Sequence, residues 1–177
     1  MLEGALEQAR DFEAELHADV GKYYADPLGF VRAMFRWPIK GRSGPDTWQC
    51  EELEDIGRQV RARRFGGVEP VRPIRKAWVT GHGVGKTALL AWLAIWIMST
   101  RRNAHGTVTA NTNDQLDLKT WAAVREWTAL CLTGHWFEIN GEIMYRKGMR
   151  ESWFCAPQSC KDENSEAFAG QHEKSSS

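Results

Sequence analysis

The eight residues Thr80–Thr87 read TGHGVGKT and hold the densest chemistry in the chain. A triphosphate carries several negative charges, and backbone N–H groups can ring it where side chains would crowd it. Gly81, Gly83 and Gly85 permit the sharp turn and close backbone approach that such a ring needs. A helix opening directly behind the loop adds the positive end of its dipole. Lys86 is placed to reach the β- and γ-phosphates, and the Thr87 hydroxyl to ligate magnesium. Thr80, Gly81, His82, Gly83, Val84, Gly85, Lys86 and Thr87 are therefore read as a nucleotide-binding segment for ATP and Mg2+, with Lys86 and His82 as its catalytic candidates. His82 either hydrogen-bonds the γ-phosphate or faces solvent. The usual pattern GxxxxGK[ST] has Gly where this chain has Thr80, a departure that keeps the residue small.

Upstream, Trp48-Gln49 stands near the start of a helix, behind Pro45-Asp46. A Gln amide can offer a paired donor and acceptor to the edge of adenine, with an aromatic ring beside it. A plain surface Gln is the ordinary alternative. Hydrolysis asks for more: an Asp closing an apolar strand to steady magnesium, and a neighbouring Glu to activate water. Asp162-Glu163 is the one such pair after the loop, and it follows Gln158-Ser159-Cys160-Lys161, which is no apolar strand. Cys50, Cys131, Cys155 and Cys160 form no CxxC pair and have no His at zinc-finger spacing, so they read as reduced thiols. The basic residues Arg61, Arg63 and Arg64, with Arg72, Arg75 and Lys76 nearby, either touch DNA phosphates or form a solvated helix end. Arg101-Arg102 has the same helix-end explanation.

These residues need elements to hold them. Leu2, Leu6, Ala9, Phe12, Leu16 and Val20 recur at helical spacing and predict a first amphipathic helix. That helix either binds a partner or packs on its own domain. Asp26-Pro27 opens a second helix, with Phe30, Val31, Met34 and Phe35 as its apolar face. Residues 38–45 form a loop, and a third helix runs from about Asp46 to Arg64. Lys76–Thr80 is expected as the strand that feeds the phosphate loop, and Lys86 to about Ser99 as a buried helix behind it. Gly106–Ala110 reads as a strand, Asn113–Leu132 as one long helix, and Ile143–Tyr145 and Ser152–Cys155 as short strands. This order implies an α/β fold of the P-loop NTPase type: an incomplete, mostly parallel sheet with flanking helices, preceded by N-terminal helices. Residues 1–45 make a helical segment and 46–177 a partial ATPase domain.

With 177 residues the chain can bury one sizeable core. Basic and acidic residues balance at 23 each, so no overall field advertises nucleic acid, although one local face could still hold it. Of the nine Trp, most (Trp78, Trp92, Trp96, Trp121, Trp127) sit in apolar patterns and are expected in the core. The longest apolar run, Ala88 to Met98, is too short to span a bilayer, and the acidic N-terminus is unlike a secretory signal.

Taken in order, Asp26–Trp37 (DPLGFVRAMFRW), Pro45–Gln49 (PDTWQ), TGHGVGKT, Val108–Gln115 (VTANTNDQ) and Ser165–His172 (SEAFAGQH) resemble the large subunit of phage terminase, the ATP-driven DNA-packaging motor. The resemblance implies an ATPase coupled to translocation of double-stranded DNA into a capsid. It implies adenine contact at Gln49, phosphate at Lys86 and magnesium at Thr87. His82 falls where many relatives place a loop Arg, and a largely neutral His cannot supply that charge. Implied partners are the small terminase subunit and the portal or prohead, with a homo-oligomeric ring for the full-length protein in the bacterial host cytoplasm. The acidic strand of that family is expected soon after a stretch like SEAFAGQH, about where this sequence stops. The coupling motif and nuclease domain have no counterpart in it. The chain therefore reads as an N-terminal piece that binds nucleotide weakly and hydrolyses it poorly alone. Two other readings stay open: a fragment of another P-loop nucleic-acid translocase or helicase, and a non-hydrolysing interaction module.

Overall fold

The computed structural model describes residues 2–64, 70–79, 81, 83–110, 116–140 and 143–159. Five α-helices are present among them: α1 (Leu2–Lys22), α2 (Pro27–Met34), α3 (Thr47–Arg63), α4 (Lys86–Thr100) and α5 (Ala122–Leu130). Four strands, β1 (His105–Ala110), β2 (Phe137–Asn140), β3 (Ile143–Arg146) and β4 (Phe154–Ser159), make one sheet in the order β1-β4-β3-β2.

Local chemistry explains most of the helix boundaries. Pro27 takes the first position of α2, where its missing N–H costs nothing, and the Asp26 carboxylate accepts from the Gly29 N–H at 2.9 Å. At the far end of α3, Arg64 turns left-handed at φ 49° and stops the helix. α4 is apolar nearly all round, the mark of a helix enclosed by its neighbours. It touches α1, α2, α5, β1 and β4, and buries Leu89, Trp92, Ile95, Trp96 and Met98.

An aromatic knot sits at its centre. Trp127 meets Trp92 edge-on at 5.0 Å between ring centroids and Phe35 at 5.5 Å, and Trp37 meets Trp92 at 6.0 Å. The expected core role of Trp92, Trp96, Trp121 and Trp127 is therefore observed, while Trp78 is only half-buried. A single hydrophobic cluster runs from Leu16 in α1 to Cys155 in β4.

The α/β class is as expected, but the sheet is mixed rather than mostly parallel. Only β1 and β4 run parallel, from His105 opposite Phe154 to Ala110 opposite Ser159. β4 pairs with β3 and β3 with β2 in antiparallel fashion. The physical reason is connection length. β2 and β3 are joined by two residues, and so short a link can only reverse the chain, whereas the long β1-to-β4 excursion allows a parallel return.

Three further expectations are corrected. β2 is a strand beyond those expected, and in it Phe137 and Ile139 alternate with the exposed Glu138 and Asn140. Of the long helix expected over 113–132, residues 113–115 lie outside the described residues, and the rest opens as a π-helical stretch, Leu116–Trp121, followed by α5; its widened turn delivers Trp121 to the core at 0% exposure. Residues 76–79, expected to be a strand feeding the loop, have no ladder partner among the described residues. They do alternate as a strand would, with Lys76 and Trp78 half-buried and Ala77 and Val79 exposed.

Candidate nucleotide-binding site

Lys86 is the first residue of α4, and Gly85 caps it with left-handed backbone at φ 85°. Gly83 is left-handed too, at φ 80°. These are conformations that L side chains rarely adopt, so the backbone requires glycine at Gly83 and Gly85, whereas nothing within 4 Å and no left-handed φ requires it at Gly81. Gly85 has no side chain to cap α4, whose first-turn N–H groups lie at the positive end of the helix dipole. The Lys86 ammonium folds back over the loop and donates to the Gly81 carbonyl at 2.9 Å. Thr87 follows as the second helical residue, half-buried. Thr80 and His82 lie outside the described residues.

Two neighbouring side chains of α3 hold this loop from one side. The Trp48 indole N–H donates to the Val84 carbonyl at 3.1 Å, and the Gln49 amide N–H to the Gly85 carbonyl at 3.0 Å. Both contacts join residues 36 apart. In a trans peptide the C=O and the following N–H point in opposite directions. With the Val84 carbonyl turned to α3, the Gly85 N–H points away from it, while the Gly85 carbonyl also accepts from the Leu89 N–H at 3.1 Å as the first acceptor of α4.

Gln49 is fully buried at 0% exposure. Its other amide atom, the oxygen, accepts from the Asp46 N–H at 2.8 Å, the reach-back half of a capping box on α3. The amide therefore has protein partners on both sides, and in this structure Trp48 and Gln49 address the loop backbone rather than open space. Sequence reasoning placed both residues near the site but missed the clamp. The Asp46–Gln49 spacing was the available signal, since an Asp three residues before a Gln at a helix start marks a capping box. A Cβ added to Gly85 would lie 2.6 Å from the Gln49 amide nitrogen, so close approach is a second reason for glycine there.

The basic residues that the sequence singles out are largely engaged in holding the fold. Arg61 donates to the Ala25 carbonyl at 2.7 Å, and Arg63 to those of Arg72 at 2.7 Å and Gln59 at 3.0 Å. Arg101 lies over the rings of Trp96, at 4.1 Å, and Tyr24, at 4.4 Å. Lys76 bridges Glu52 at 2.8 Å and Asp55 at 2.6 Å, fastening residues 70–79 to α3. Lys76, followed by Gln59, holds the Asp55 carboxyl down at about 2, and Lys76 with Trp78 lowers that of Glu52.

An apolar groove of about 530 Å3 lies between α3, α4 and residues 71–78, lined by Val60, Trp78, Leu93 and Trp96 among others. No described residue of the 80–87 loop lines it. Cys131 and Cys155 are buried, and burial pushes the Cys155 thiol up to about 11; Cys160 lies outside the described residues. No described helix is long and apolar enough to cross a membrane. Comparison with protein-family models, with curated proteins and with solved structures gives no match to this chain.

Proposed function

We propose that residues 80–87 bind the phosphates of ATP with Mg2+, and that the chain is the nucleotide-gripping part of a DNA-packaging motor of the phage terminase type. The observation that carries the binding reading is the junction at Gly85. There a left-handed glycine opens a 15-residue helix, and the Trp48 and Gln49 side chains hold the carbonyls of Val84 and Gly85. Lys86, the first residue of that helix, supplies the charge that a β- or γ-phosphate needs. Thr87 offers its hydroxyl to magnesium.

The motor reading rests on the ordered sequence segments that resemble terminase large subunits, with double-stranded DNA, the small subunit and the portal as partners. In this reading Trp48 and Gln49 position the loop, and contact with the base is not needed to explain them. The sequence offers no Asp-Glu pair closing an apolar strand, so hydrolysis by this chain alone is slow.

Titration of the protein with Mg·ATP, beside Lys86→Ala, tests the binding. Measurable binding that Lys86→Ala weakens at least about tenfold is the expected result, one charge-assisted contact being worth that much. Equal affinity of the two proteins would sink the reading. Steady-state turnover is expected below about 1 per second, the bottom of the usual enzyme range. Faster turnover would show that the catalytic acids are present after all.

A further inference from the structure

The loop over residues 38–45, which the sequence marks only as a connection, carries a built feature beside the phosphate loop. Ile39 and Arg42 exchange two backbone hydrogen bonds of 3.0 Å, closing a two-residue turn. Its central residues are both left-handed, Lys40 at φ 52° and Gly41 at φ 75°, as a type I′ turn demands. The turn is anchored at two points: Ile39 is buried, and Lys40 forms a 2.6 Å ion pair with Glu126 of α5. A fixed turn fixes the residue that follows its tip.

That residue is Arg42. One of its terminal nitrogens, Nη1, lies 3.7 Å from the position of a Cβ on Gly85, the residue that caps α4. The same nitrogen pairs with the Asp46 carboxylate at 2.9 Å, and the Asp46 N–H is bonded by Gln49, which holds Gly85. The guanidinium thus stands at the loop on a short chain of contacts, about half exposed. Among the described residues, Nη1 is the one atom of its fork given a hydrogen-bond partner. A guanidinium has five donors in a planar fork that suits phosphate oxygens, and one carboxylate contact leaves donors over.

We propose that Arg42 is a further phosphate-contacting residue, adding a second fixed cation to that of Lys86, a role that rests on the nucleotide-binding reading of the loop. Asp46 holds the guanidinium in place, so the side chain is already ordered when the anion arrives.

Calorimetric titration of Mg·ATP into wild type, Arg42→Gln, Arg42→Lys, Asp46→Asn and Lys86→Ala tests this. Arg42→Gln is expected to weaken binding about tenfold and to flatten its dependence on salt, because a charge-assisted contact is removed. Arg42→Lys keeps the charge and is expected to lose less. Asp46→Asn removes the group that orders the guanidinium but leaves the cation, so it is expected to weaken binding less than Arg42→Gln does. Wild-type affinity in Arg42→Gln, with Lys86→Ala still impaired, would overturn the role of Arg42 and leave the loop reading standing. Equal losses in Arg42→Gln and Asp46→Asn would reduce Arg42 to a structural ion pair. Wild type and Lys86→Ala that bind alike, or not at all, would overturn the loop reading and Arg42 with it.

Discussion

Gln49 shows how a polar residue can belong to the core and to a site at once. Its amide satisfies Gly85 on one side and Asp46 on the other, with no exposed surface. Replacing it by Leu keeps the approximate volume but strands a donor and an acceptor, each costing about 1–3 kcal/mol when buried. Gln49→Leu is thus expected to lower unfolding stability by at least about 1 kcal/mol in urea melts, and to weaken Mg·ATP binding as the loop loosens. Unchanged stability would mean that water replaces the amide. Gly85→Ala strikes the same contact from the other side: left-handed backbone alone costs an ordinary residue about 1–2 kcal/mol, and the new methyl meets Gln49. Gly83 and Gly85 were legible in the sequence, because their residue type follows from backbone geometry within a few positions. The clamp by Trp48 and Gln49 was not, because it joins parts of the chain that no local pattern connects. Even so, Asp46 and Gln49 carried the mark of a capped helix.

At the scale of elements, residues 70–79 depend on ionic contacts to stay against α3. Lys76 sits between Glu52 and Asp55, and the Asp55 carboxyl titrates near 2 against an ordinary 3.8. A depressed carboxyl stabilises the folded state above its unfolded value and loses that contribution as the pH falls through the folded one. The stability due to this contact is therefore complete above about pH 4 and fades towards pH 2. Lys76→Met is expected to lower the melting temperature at pH 7 and to remove part of the acid sensitivity between pH 4 and 2. A pH profile parallel to that of wild type would deny Lys76 the role. Strands were less legible than helices for a related reason. Helices α1 to α4 announce themselves by spacing and caps, but a strand exists through its neighbours. Residues 76–79 have the alternation without a described ladder. β2 has both the ladder and the alternation, but over only four residues, and the Asn140-Gly141 pair, a common hairpin signal, was the hint that it turns back.

Across the whole molecule, α1 is joined to the far side of the sheet by polar side chains as much as by its apolar stripe. Leu16 and Val20 enter the core, whereas Leu6 and Phe12 are exposed. Glu13 takes hydrogen bonds from the Trp136 indole N–H at 2.9 Å and from His135, and the Trp136 contact leads in lowering its carboxyl. His17 stacks on Trp136 at 4.1 Å, and burial followed by the nearby Arg146 keeps its imidazole below its ordinary value. Leu16 and Val20 thus pack α1 on its own domain, as one of the two readings of this helix expects, while Leu6 and Phe12 stay uncovered. Removing residues 1–22 is expected to cost at least about 2 kcal/mol, from the burial of Leu16 and Val20 alone, in equilibrium unfolding of the remaining chain. A truncated protein as stable as the whole would show that α1 is an appendage.

The hydrogen bond from Trp48 to Val84 has a practical consequence. An indole proton shared with a carbonyl exchanges with solvent only when that contact opens, and local opening sets the rate. Proton exchange at Trp48 therefore keeps time for the loop itself, separately from unfolding of the aromatic knot around Trp92. If a phosphate ligand tightens the loop, the Trp48 resonance will slow its exchange while the indole signals of the knot keep theirs.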